Sequence, residues 1–439
     1  MKKIFLVVIA LFFSTASFSQ GILNLFNKSD EFFQLMKAEK FVDAQAYFDE
    51  GVKAQIDPAS LKLLWTRLSI GLGDFSSIDI SQNKKEGELS IVVLEGIFTK
   101  GTQGFNLVFN DKEKLVGLFL TPKTNVVSYQ KPPYADSTLY HEKEIYVSSG
   151  THKLVGILTT PKTGSNFPVV VLIHGSGPAD MDETVGATKP FKDLAAGLAA
   201  KGIATVRYVK RTLLYSGEFA GVFTVKEEVI DDALAAVALT KTFPEIDKKQ
   251  IFVLGHSLGG MLAPKLATLI PDLKGLIFAA APARKLTDLI VEQNKYFFQH
   301  ANDTTKDGKE QLNNALQLIE KTRISQIGNL KPDSLLLGIP AAYWVDLNQY
   351  DQVNTAKKLS QRMLFIQGGF DSQVSVQDLN IWKTALAKNK NASFKVYPEL
   401  NHLLTPQTEK GSVSQYQVPA NVSKILIDDI ASWILNNKL

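Results

Sequence analysis

The run Gly255-His256-Ser257-Leu258-Gly259-Gly260 carries the clearest chemistry in the chain. It follows the apolar stretch Ile251-Phe252-Val253-Leu254. It precedes Leu258, Leu262, Leu266 and Leu269, which repeat at helical spacing up to Pro271. A serine between strand and helix, with glycines two residues to either side, sits on a sharp turn that lifts its hydroxyl clear of a sheet. The N-terminus of the next helix then faces the oxygen on which negative charge develops during acyl transfer. Ser257 is therefore the expected nucleophile. The plain alternative is a glycine-rich turn that only closes a helix onto a strand.

A serine hydroxyl is a weak nucleophile without a base. Of six histidines, His141 and His152 lie in or beside short strands, and His174 and His256 sit inside glycine motifs where each props the backbone. His300 belongs to a helical insertion. His402 remains, in Glu399-Leu400-Asn401-His402-Leu403-Leu404, after the last strand and before the final helix. In α/β-hydrolases the chain order is serine, acid, histidine. Asp371 fits the second place, directly after the apolar strand 363–367 and two glycines, whereas Asp346 and Asp351 come before that strand. Its task would be to hold the imidazole in the right tautomer and stabilise the imidazolium. An oxyanion hole needs two backbone N–H groups. Leu258 supplies one. The loop His174-Gly175-Ser176-Gly177-Pro178 supplies the other, from Ser176 or alternatively Gly175.

These residues need a sheet to hold them. Residues 28–56 and a stretch starting at Asp57-Pro58 show helical spacing, and strands follow at 78–81, 88–98, 104–110 and 115–120. Helices followed by an antiparallel sheet make a small α+β domain, 28–125. Residues 126–140, with Pro132 and Pro133, read as a linker. From 141 to 439 strands and helices alternate, which implies a mostly parallel sheet with helices on both faces. The wholly apolar strand at 167–173 is what a doubly covered parallel sheet requires. Residues 283–351 interrupt the alternation as a helical cap over the sheet's carboxyl edge. Tyr343 and Trp344, after Gly338-Ile339-Pro340, are the expected substrate-binding residues there.

Composition narrows the class. A chain of 439 residues suits two domains, and 45% hydrophobic with 21% charged residues is ordinary for a cored protein. The net charge of +4 (48 basic minus 44 acidic) has no basic stripe, so no nucleic acid is expected. Lys2 and Lys3, the apolar run 4–13 and the small residues Ser17 and Ser19 have the layout of a signal peptide, 1–19. Ten apolar residues fall short of the roughly 20 needed to span a bilayer, so a periplasmic or secreted product is expected, with no membrane span. There is no cysteine, no H-E-x-x-H and no acidic cluster at ligand spacing, so neither metal nor cofactor is expected. The expected partner is a small ester, and a homo-oligomer built through the N-terminal domain is compatible with these data.

Further stretches carry a family resemblance. His174-Gly175-Ser176-Gly177-Pro178, Asp182-Glu183, Lys189-Pro190-Phe191-Lys192-Asp193 and Arg207-Tyr208-Val209-Lys210-Arg211-Thr212 resemble bacterial α/β-hydrolases of the esterase D type. The resemblance implies a carboxylesterase whose N-terminal domain is cystatin-like or nuclear-transport-factor-2-like, with Ser257, Asp371 and His402 as its triad. This chain has Val209 where the family usually has aspartate, so any ion pair made there is absent.

Two other readings compete with short-chain ester hydrolysis. A serine exopeptidase or acylaminoacyl-type hydrolase would share fold and triad, but normally carries a β-propeller for which the first 125 residues are too few. A non-catalytic envelope binding protein would have no need of a complete triad with an oxyanion loop.

Overall fold

The computed structural model describes residues 21–86, 88–121, 129–302, 304–412, 415–416 and 418–436, so the expected signal peptide lies outside them. The described chain falls into two compact units. One contains residues up to 121 together with Thr212–Ala220. The other runs from Tyr129 to Arg211 and from Gly221 onward.

The N-terminal unit begins with helices α1 (Gly21–Lys37), α2 (Phe41–Gln45), α3 (Glu50–Lys53) and α4 (Pro58–Leu72). Asp57 starts α4 by accepting from the Ser60 N–H, and Pro58 takes the first-turn position where its missing N–H is harmless. Strands β1 (Phe75–Glu86), β2 (Leu89–Phe98), β3 (Gly101–Phe109) and β4 (Leu115–Leu120) form an antiparallel sheet in sequence order. Alternate residues of β2 point inward. They meet an aromatic core in which Phe33 lies 4.9 Å from Phe105 and 5.7 Å from Phe75. Burying each such ring contributes about 2 kcal/mol. β1 is longer than its apolar pattern predicts, because backbone pairing with β2 continues to Glu86 through polar residues.

The larger unit holds β5 (Tyr140–Ser149), β6 (His152–Pro161), β7 (Phe167–Ile173), α5 (Pro190–Ala199), β8 (Ala204–Tyr208) and the start of α6 (Arg211–Leu214). A π-helical turn, Lys226–Ile230, leads into α7 (Asp231–Thr240). Then come β9 (Ile246–His256), α8 (Leu258–Leu269) and β10 (Gly275–Ala279). The insertion holds α9 (Leu286–His300), α10 (Lys306–Glu320), the short hairpin β11 (Leu335–Leu336) and β12 (Ile339–Pro340), α11 (Ala341–Gln349) and α12 (Gln352–Ala356). β13 (Arg362–Gly368), α13 (Val376–Ala385), β14 (Ala392–Tyr397) and α14 (Lys424–Asn436) complete the unit.

Its eight strands run in the order β14-β13-β10-β9-β7-β8-β6-β5. β5 and β6 pair antiparallel with each other, as do β6 and β8, and the remaining pairs are parallel. Val170, Leu172, Leu254, Ile277 and Leu364 pack from the sheet against Phe191 and Leu194 of α5 and Leu426, Ile430 and Trp433 of α14. This is the α/β-hydrolase fold, with a separate small α+β unit. No helix among the described residues is long and apolar enough to cross a membrane.

Candidate active site

The turn between β9 and α8 has the geometry a nucleophile requires. Ser257 takes φ 52° and ψ −118°, a conformation costing a side-chain-bearing residue of order 1–3 kcal/mol. Packing imposes it. A Cβ on Gly255 would sit 2.3 Å from the Gly259 carbonyl oxygen, and one on Gly259 would sit 2.4 Å from that of Ile173. Only glycines let β9, the turn and the end of β7 approach so closely. The Ser257 N–H donates to the Ala279 carbonyl at 2.9 Å, pinning the turn to β10.

The loop after β7 lies against this serine. A Cβ on Gly175 would be 3.2 Å from the Ser257 Cβ and 3.7 Å from its Oγ. Most polar groups of the loop are already committed. The Gly175 N–H donates to Glu183 Oε1 at 2.6 Å, and the Gly177 N–H donates to Glu228 Oε1 at 2.8 Å. The buried Lys210 ammonium donates to the Gly175 carbonyl and to Glu228 Oε1, both at 2.8 Å. His174 Nε2 donates to the Asp180 carbonyl at 2.9 Å. Among the described residues the Ser176 N–H has no partner, and the Gly175 alternative is taken by Glu183.

The residues expected as base and acid stand on the loops after β14 and β13. His402 Nδ1 lies 2.8 Å from Asp371 Oδ2, and both residues are buried. Asp371 Oδ1 accepts from the N–H groups of Gln373 and Val374, at 2.8 Å each, and Gln367 Nε2 donates to Oδ2 at 3.0 Å. Asn401 shapes the histidine loop, its Oδ1 accepting from the N–H groups of Leu403 and Thr405. The His402 carbonyl accepts from His256 Nε2 at 2.8 Å, which ties the loop to the residue preceding Ser257. Asp346 and Asp351 take other partners. Asp346 faces Lys265 at 3.8 Å, and Asp351 caps α12.

In the insertion, Tyr343 is buried against Phe223 with its hydroxyl toward Glu228. Burial, and then the Glu228 carboxylate, raise its pKa well above the ordinary phenol value, so it stays protonated. Trp344 is also buried, and its indole N–H donates to the Leu336 carbonyl at 2.9 Å. Val209 is buried, its N–H on the Val155 carbonyl at 2.9 Å. Among the described residues no group of three or more His, Cys, Asp or Glu side chains is arranged to hold a metal ion.

Glu183, Lys210, Glu228 and Gln367 received no role in the sequence analysis. Glu183 and Lys210 stand in stretches that carry the family resemblance. Glu228 sits on the π-helical turn, and such turns are frequent at functional sites but leave little sequence mark.

Comparison with known proteins shows the family. Residues 165–409 match the family described as serine aminopeptidase, S33, and residues 29–118 match one described as a protein of unknown function, DUF3887. Esterase EstD of Thermotoga maritima is 36% identical over 404 residues, covering 92% of this chain and 94% of its own. Among solved structures, Est1E from Butyrivibrio proteoclasticus aligns with a TM-score of 0.43 at 15% identity, covering 67% of this chain and 98% of its own. The esterase domain from a Rhodothermus marinus protein aligns with a TM-score of 0.41 at 15% identity, covering 67% and 97%. The chain thus belongs to the α/β-hydrolase family of the Thermotoga esterase and is a carboxylesterase-type hydrolase.

Proposed function

We propose an exported serine esterase that cleaves short-chain carboxylic esters through an acyl-enzyme on Ser257. The single observation that carries this reading is the Asp371–His402 pair at 2.8 Å, on a loop tied to the residue before the strained serine. Ser257 Oγ adds to the acyl carbon as its proton passes to His402 Nε2. The resulting oxyanion accepts from the Ser176 and Leu258 N–H groups. Collapse breaks the ester bond, and His402 returns the proton to the leaving alcohol. Water, deprotonated by His402, then releases the acid by the same steps. Asp371 keeps His402 protonated on Nδ1 throughout.

Residues 283–351 act as the cap that limits acyl length, with Tyr343 and Trp344 as its aromatic wall. Residues 1–19 direct export to the periplasm or medium. The N-terminal unit is a packing or self-association module.

The family description as serine aminopeptidase favours one second reading, an exopeptidase using the same triad. The two are separated by assaying aryl esters from acetyl to dodecanoyl beside aminoacyl anilides. Efficient acetyl-to-butyryl turnover with slow anilide turnover is expected. Faster anilide than ester turnover makes it a peptidase.

A further inference from the structure

Resting on the Ser257–Asp371–His402 assignment above, we infer that Glu183 and His256 are positioning residues that lock the oxyanion loop and the base loop in one register. An unbroken set of contacts joins the two loops. The Gly175 N–H donates to Glu183 Oε1 at 2.6 Å. Glu183 Oε2 lies 3.0 Å from His256 Nδ1, an ion-pair distance though off the line of a straight hydrogen bond. His256 Nε2 donates to the His402 carbonyl at 2.8 Å. The two imidazole rings are 4.7 Å apart. Glu183, His256 and His402 are only 6%, 4% and 4% exposed, so water does not loosen the set.

Charge decides which proton arrangement holds. A neutral imidazole that donates from Nε2 would turn a lone pair toward the Glu183 carboxylate. The protonated ring donates to the His402 carbonyl and turns a positive N–H edge toward the Glu183 carboxylate, so hydrogen bond and ion pair hold both loops at once. Burial alone would push His256 toward the neutral form, but the Glu183 charge outweighs it and the pKa is raised. Burial likewise favours protonated Glu183, yet His256 holds its pKa below the ordinary value. His174 cannot substitute as the counter-ion, because burial lowers its pKa to about 4 and leaves it neutral.

This bond set bears on catalysis because Gly175 stands between the pair and the Ser176 amide. Oxyanion donors act only near 2.7–3.1 Å, and loss of one such donor costs about 10²–10³ in kcat. A pair that only packed the core would leave that amide in place when its charge is removed.

The test is Glu183→Gln, which keeps an acceptor for the Gly175 N–H but removes the charge facing His256. A fall in kcat of about 10- to 100-fold is expected, with KM within about threefold. Affinity for an alkyl trifluoromethyl ketone, which binds as a hemiketal oxyanion, should weaken by a similar factor. Affinity for the product alcohol should stay unchanged. If Glu183→Gln does not fold, His256→Gln is measured instead, since its amide still reaches the His402 carbonyl but offers Glu183 no charge. A folded variant with kcat within threefold of wild type, or a change confined to KM, overturns the inference. Ser257→Ala in the same series separates the two levels: if it retains turnover, the triad assignment itself fails.

Discussion

His402 Nδ1 faces Asp371 Oδ2 at 2.8 Å, while the other carboxylate oxygen is clamped by the Gln373 and Val374 N–H groups. Held from both sides, the carboxylate can only accept from the imidazole, which leaves Nε2 free for the proton transfer proposed above. Asp371→Asn would offer an amide donor in its place and favour the wrong tautomer. A loss of about 10³–10⁴ in kcat is expected, with KM nearly unchanged. Steady-state kinetics on an acetyl aryl ester check this, and a loss under tenfold would mean that Asp371 does not orient the base.

The turn glycines should be intolerant of any side chain. An alanine Cβ at Gly255 would meet backbone atoms of Gly259 and Gly260 at 2.3–2.5 Å, and backbone cannot move aside as a flexible side chain can. Gly255→Ala should cost about 3 kcal/mol or more, or prevent folding. Urea midpoints of variant and wild type measure the difference. Wild-type stability would show that the turn is looser than the packing indicates.

Asp193 predicts a pH effect on stability that is separate from catalysis. Burial raises its pKa from 3.8 to about 6, although Tyr129, the Val422 N–H and Asn421 all donate to it. Because the folded chain binds this proton more tightly than the unfolded chain, the stabilisation is complete below about pH 4 and is lost as pH rises through 6. Relative to Asp193→Asn, wild type should lose on the order of 2–3 kcal/mol between pH 4 and 6.5. Parallel curves for the two proteins would contradict the raised pKa.

The fold that carries the candidate site was legible where local pattern and chemistry coincide. The apolar run of β7 has the same bounds in sequence and structure, and the loops that carry Asp371 and His402 follow strands that pair directly in the sheet. What stayed hidden depends on distant partners. Helix α13 lacks a continuous apolar stripe, and Asp378 is buried in it because Arg284 pairs with it across the fold at 2.6 Å. The clamp on the oxyanion loop was equally unreadable, because Glu183, Lys210, Glu228 and His256 come together only through folding.

Chain-length selection tests the cap. Trp344 is held to β11 through its indole N–H, so removing it opens space inside the insertion without touching the triad. Trp344→Ala should shift the kcat/KM ratio toward octanoyl over acetyl aryl esters, by up to about 0.8 kcal/mol per added methylene that becomes buried. An unaltered ratio would remove Trp344 from the acyl wall.

Covalent capture tests the central claim most directly. Wild-type protein treated with a fluorophosphonate, digested and sequenced by mass spectrometry should carry one adduct, on Ser257, in step with loss of ester hydrolysis. Ser257→Ala should neither label nor turn over, its rate at least about 10⁴-fold down. A labelled residue other than Ser257, or ester hydrolysis surviving in Ser257→Ala, would contradict the mechanism.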